Sequence, residues 1–127
     1  MIKHVYSGTT FEQQMAYARA KRVGPYIAVS GTAAFDGGEI VGRGDAYEQA
    51  RFIFQKVGKA LAEAGASLGD VIRTRIYLID MKHFDDVARA HKEVFAGIDP
   101  AATAIEVAGF VDETMLVEIE VDAFIDS

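Results

Sequence analysis

Glu118 and Glu120 stand two residues apart in the run Val117-Glu118-Ile119-Glu120-Val121, and that spacing decides what the two carboxylates can do. On a strand, residues two apart point to one face, so the glutamates share a side while Val117, Ile119 and Val121 line the other. They lie roughly 6.6 Å apart along the strand, close enough for each charge to oppose ionisation of the other unless a cation or donor intervenes. A carboxylate in that position, partly removed from water, titrates nearer neutrality and serves as a general acid or base. The alternative for Glu118 is an ion pair with Arg73 or Arg75. Tyr17 either closes a cleft with its hydroxyl or packs in an interface. Arg19 either holds an acidic ligand or pairs with a carboxylate such as Glu12 or Glu120. Ser30 has no base beside it in the sequence, which leaves it hydrogen bonding or strand-end packing rather than the role of a triad nucleophile. His4, His83 and His91 share no short metal-ligand spacing, so no metal is expected, and His91 reads as a satisfied core or interface histidine.

These side chains need elements to carry them. Met15 to Ala20 alternates large and small residues and is expected to be a strand, forming a hairpin with Tyr26 to Ser30 across a turn at Lys21 to Gly24. Phe35 onward, with Asp36-Gly37-Gly38, is loop chemistry. Asp45 followed by Glu48 marks a helix start, Gly65 its stop, and Ala50, Ile53, Phe54, Val57, Ala60, Leu61 and Ala64 its buried stripe. Gly58 inside that stripe costs about 1 kcal/mol relative to alanine, which a close contact with the sheet would explain. Val71 to Ile79 sets Ile72, Thr74, Ile76 and Leu78 against Arg73, Arg75 and Tyr77. A second helix is expected from about Lys82 to Ala96, with Phe84, Val87, Ala88, His91, Val94 and Phe95 inward. Strands around Ala102 to Val107 and Leu116 to Ile125 complete an order β-β-α-β-α-β-β. Each helix has one apolar stripe, so both are expected on one face of a mixed sheet. The other face then mixes Tyr17, Arg19, Arg73, Arg75, Tyr77, Glu118 and Glu120 with apolar residues, a composition suited to burial against another subunit.

With 127 residues, half of them apolar, the expectation is a single domain spanning 1–127. No cysteine is present, which excludes thiol nucleophiles, disulfides and thiolate metal sites. No long apolar run or leader pattern appears, so a soluble, cytoplasmic protein without a membrane partner is expected. The net charge of −6, with scattered cations, argues against nucleic acid.

Several segments together resemble the YjgF/RidA family of reactive intermediate deaminases, also called the endoribonuclease L-PSP family. They are Tyr17, Val29-Ser30-Gly31, Ala64-Gly65-Ala66-Ser67-Leu68-Gly69-Asp70-Val71, Ile76-Tyr77-Leu78-Ile79-Asp80, Pro100-Ala101-Ala102-Thr103 and Val117-Glu118-Ile119-Glu120. The resemblance implies a chorismate-mutase-like α+β fold, a homotrimer with small-molecule clefts between subunits, no cofactor, and hydrolase (deaminase) chemistry on imines or enamines. It implies catalytic roles for Glu118 and Tyr17, with Ser30, Gly31 and Thr103 at the ligand and Arg19 as a further candidate. Ala102 stands where active family members carry the arginine that grips a substrate carboxylate. Ala104 and Ala88 replace a frequent cysteine and an asparagine. A charge-assisted bidentate contact is among the stronger polar interactions, so its loss points to a substrate other than ordinary 2-imino acids, or to ligand binding without catalysis.

Overall fold

The computed structural model describes residues 1–126. Its frame is a six-stranded sheet of β1 (Ile2–Val5), β2 (Ala20–Val23), β3 (Tyr26–Thr32), β6 (Val71–Leu78), β7 (Ala101–Glu106) and β8 (Val117–Phe124). The strand order is β1-β2-β3-β8-β6-β7, and the sheet is mixed because β6 and β7 run parallel while the remaining neighbours are antiparallel. A small hairpin of β4 (Phe35–Asp36) and β5 (Glu39–Ile40) turns through Gly37 and Gly38, both at positive φ. Helices α2 (Ala46–Glu63) and α3 (Phe84–Phe95) pack side by side, and α2 lies against β3 and β8. Among the described residues, no helix is long and apolar enough to cross a membrane.

The core between helices and sheet follows from two periodicities meeting. From the sheet come Ile27, Val29, Ile76, Leu78, Val117, Ile119, Val121 and Ala123; from α2 come Ala50, Ile53, Phe54, Val57, Ala60 and Leu61, all buried. Asp45 caps α2 as expected, its carboxylate accepting from the Glu48 amide at 3.1 Å, and Gly65 takes φ +91° just past the helix end. Gln49, on the same buried stripe, is fully enclosed. Its amide donates to the carbonyls of Gly42 and Thr114 and accepts from the Leu116 amide, tying the chain that enters β8 to the helix. Gly58 faces Leu68, in the 3-10 turn before β6, and not the sheet: a Cβ there would lie 3.4 Å from Leu68 Cδ1.

Four local expectations are corrected. Met15 to Ala20 is not a strand. Residues Thr10–Met15 form the short helix α1, which ends at Ala16 in the left-handed region (φ 59°), and strand structure resumes only at Ala20. The Thr9 hydroxyl accepts from the Glu12 amide, so a helix cap outcompetes the apparent alternation. Lys21 and Arg22 belong to β2, and the β2–β3 turn is Gly24-Pro25 between the paired Val23 and Tyr26. In β6 a register shift between Val71 and Arg73 turns Val71 inward and leaves Ile72 50% exposed. Phe84 opens α3 at 45% exposure, while Val87, Ala90 and Phe95 supply the buried side.

Candidate functional site

The register of β8 against β6 pairs Tyr77 with Glu118 and Arg75 with Glu120, on the sheet face opposite the helices. The two glutamates part company there. Glu120 is partnered: it accepts from the Tyr77 hydroxyl at 2.8 Å and lies 3.7 Å from Arg75, which also holds Asp122 at 2.9 Å. The Glu118 carboxylate makes no hydrogen bond or ion pair among the described residues, and the bridge to Arg73 or Arg75 is not formed. Its carboxylate lies against Gly31, so closely that any Cβ at position 31 would collide with it. Burial pushes the Glu118 pKa up; the Arg19 charge works against that and Glu120 adds to it.

Gly31 lies against Glu118, and Arg19 links Gly31 to Tyr17, with Ser30 next to Gly31 in the chain. Arg19 is the hub, at 5% exposure. Its Nη1 donates to the Gly31 carbonyl at 2.6 Å and to Thr32 Oγ1 at 3.1 Å. Nη2 donates to the Tyr17 hydroxyl oxygen at 3.2 Å and meets Glu12 at 3.4 Å. The pairing of Arg19 with Glu12 is therefore the one of the two weighed from the sequence that forms. Because Tyr17 accepts from the guanidinium, its own O–H proton stays free to donate outward. Ser30 donates to the Ala18 carbonyl at 2.7 Å, which fixes the segment carrying Tyr17 beside the end of β3.

Glu12, expected from the sequence only as a pairing candidate for Arg19, holds the buried end of this network. It is 4% exposed and accepts from the Ser7 amide, the Ser7 hydroxyl and Thr9 Oγ1 as well as from Arg19. Burial alone would raise its pKa, but these donors and the Arg19 charge bring it down to about 2. A signal was present, since Thr9-Thr10-Phe11-Glu12 fits the capping-box spacing.

Thr103 does not join this group. It lies on β7, two strands from β8, where it pairs with Arg75 of β6, and it lines a separate cleft of about 450 Å³ between α3 and β7. Ala88, Ala102 and Ala104 line the same cleft, with Lys92 as its cation and Asp99 as its acid. His91, also in its wall, bonds Thr74 Oγ1 through Nε2 at 2.9 Å and packs against Phe54 and Phe95; burial lowers its pKa. One chain thus carries two separate candidate sites, one built round the Glu118 carboxylate, the other largely apolar.

A family model described as endoribonuclease L-PSP matches residues 8–125. The uncharacterized protein SCO2049 of Streptomyces coelicolor is 41% identical over 123 residues, covering 97% of this chain and 92% of that protein. The 2-iminobutanoate/2-iminopropanoate deaminase of Mus musculus is 33% identical over 94 residues, 72% of this chain and 69% of that enzyme. Among solved structures, Rv2704 of Mycobacterium tuberculosis, described as a member of the YjgF/YER057c/UK114 family, superposes with a TM-score of 0.87 at 37% identity. The match covers 98% of this chain and 100% of that one.

Proposed function

The chain belongs to the endoribonuclease L-PSP family, and from that premise we propose that it is a cytoplasmic homotrimer whose intersubunit clefts hydrolyse an imine or enamine lacking the carboxylate of ordinary 2-imino acids. Glu118 carries this reading: a half-buried carboxylate without a protein partner among the described residues, its pKa raised, set against Gly31, whose carbonyl is held by the same Arg19 that holds the Tyr17 hydroxyl. Water gives a proton to Glu118 as its oxygen bonds to the C=N carbon and the C=N π bond breaks, and Glu118 passes that proton to the nitrogen to give a neutral carbinolamine. Glu118 then takes the carbinolamine hydroxyl proton and delivers it to the nitrogen as the C–N bond breaks and the C=O bond forms, releasing ammonia and a carbonyl compound. Tyr17 donates to the substrate, and Arg19 positions Tyr17 and Gly31 from behind. Ser30 and Gly31 shape that wall.

The α3–β7 cleft, with Thr103, lies apart from Glu118 within one chain, and a neighbouring subunit would bring the two part-sites together. Alanine at 102 and 104 leaves that half without a buried cation, which supports a substrate with no carboxylate. The deaminase relative supports the reaction type. The net charge of −6 supports a small molecule over an RNA backbone as occupant. The alanines also favour a second reading, a non-catalytic ligand-binding trimer.

Two measurements separate these. An amine oxidase supplies a carboxylate-free aldimine and an amino acid oxidase supplies 2-iminopropanoate, with semicarbazide capturing whatever imine survives. Acceleration over buffer, larger for the aldimine, is expected; acceleration of neither leaves the binding reading. Ala102→Arg should shift the preference toward 2-iminopropanoate by about tenfold or more. Light scattering should give three times the 13.8 kDa chain mass, and a particle of one chain mass would remove the shared cleft.

A further inference from the structure

A second cleft, of about 630 Å³, lies on the other side of Arg19, between the loop joining β1 to α1, the β4–β5 hairpin and one flank of α2. Phe52, Lys56 and Lys59 of α2 fall at helical spacings of four and three and present a single stripe to it. Phe35 of the hairpin and Tyr6 of the loop extend the apolar wall. The volume is within the range of small-molecule sites, and the chemistry is that of a few polar groups set in an apolar surface.

The charged groups facing the cleft are Arg19, Lys56 and Lys59, against Asp36 and Glu63. Lys59, Asp36 and Glu63 are exposed, so water screens them. The inner pair differs. Arg19 is 5% exposed, and its Nε is a buried donor with no partner among the described residues. Lys56 is half-buried, and its one hydrogen bond among those residues runs from Nζ to the Phe35 carbonyl at 2.8 Å, leaving two of three protons uncommitted. Burial and then the Arg19 charge lower the Lys56 pKa, opposed by Glu12 and Asp36. Glu12 is already occupied by Ser7, Thr9 and Arg19. The fold therefore holds the Lys56 ammonium in a partly desolvated cleft without an ion-pair partner among the described residues, beside the Arg19 guanidinium that Glu12 already pairs. Removing a charge from water without a partner is costly, and an anion entering the cleft offsets that cost.

We propose that this cleft is a second ligand site, separate from the Glu118 site, which takes a small organic monoanion with a flat apolar body, its carboxylate on Lys56 and its body against Phe35 and Phe52. The two exposed carboxylates at the rim disfavour a more highly charged ligand, and the aromatic wall disfavours an inorganic ion.

Naphthalene-2-carboxylate is a suitable probe, followed by amide NMR on the full chain, a readout independent of any hydrolytic activity. Saturable shifts are expected at Ser7, Gly8, Gly37 and Gly38. Lys56→Met should weaken binding about tenfold or more, as expected for loss of a charge-assisted contact, while its melting temperature holds or rises because a desolvated ammonium is gone. The neutral naphthalene-2-methanol should bind more weakly by a similar factor. Shifts confined to the α3–β7 cleft, equal binding by Lys56→Met, equal binding of the alcohol, or no binding at millimolar probe would each overturn the proposal.

Discussion

Glu118→Gln lowers the rate of imine hydrolysis by about 10²- to 10⁴-fold, the range associated with removal of a positioned acid–base group, and leaves the protein at least as stable as the wild type. The paired outcome discriminates because the two roles open to Glu118 move stability in opposite directions. A structural ion pair, once broken, would cost stability. In this fold Glu118 has no such partner among the described residues, and burial raises its pKa. The native state thus binds a proton more tightly than the unfolded chain. The sign follows from linkage: stability falls as pH rises from the unfolded carboxyl value through the higher native one, so the ionised form is the strained form at neutral pH. Glutamine removes that charge without changing the shape pressed against Gly31. The rate of the wild type should climb with pH through the raised Glu118 pKa as the base form fills, and this acid limb should vanish in the variant. A pH–rate profile of kcat together with a thermal melt checks both halves. Loss of stability without loss of rate would return Glu118 to a structural role.

How far such a site can be read from sequence depends on how local the deciding interactions are. The α2 boundaries and stripe were legible because Asp45, Glu48 and Gly65 act within a turn of where they stand. The alternation of β8 likewise assigned Val117, Ile119 and Val121 to the core and the glutamates to the opposite face. Which glutamate finds a cation was not legible. It depends on the register between β6 and β8, which places Arg75 beside Glu120 and Asp122 and leaves Glu118 to Gly31. The same dependence hid the bulge that exchanges Val71 for Ile72. Near Tyr17 the difficulty was of another kind, because six alternating residues fit a strand as well as a helix end. The competing signal, a threonine cap three residues before Glu12, decided it.

That same Glu12 underlies the largest expected effect on stability. Arg19 and Glu12 are both nearly sealed from solvent, at 5% and 4% exposure. Arg19→Met or Glu12→Gln, made singly, should cost about 3–5 kcal/mol, because each leaves the other charge buried and uncompensated. The double variant should cost less than the sum of the two, since no orphaned charge remains. Acid provides a second route to the same state. The native Glu12 carboxyl titrates at about 2, below the 4.5 of an unperturbed glutamate. A depressed carboxyl contributes stability that is fully present above the unfolded value and is lost as pH falls through the native one. The loss, on the order of 3 kcal/mol, should therefore accumulate between about pH 4.5 and pH 2 in the wild type and be absent in Glu12→Gln. Denaturant melts across that range measure it. The consequence reaches the site, because Arg19 also donates to the Tyr17 hydroxyl and the Gly31 carbonyl. Arg19→Met that still folds should lower kcat through a misplaced Tyr17 while retaining the acid limb set by Glu118, whereas a residue serving stability alone would leave kcat of the folded fraction unchanged.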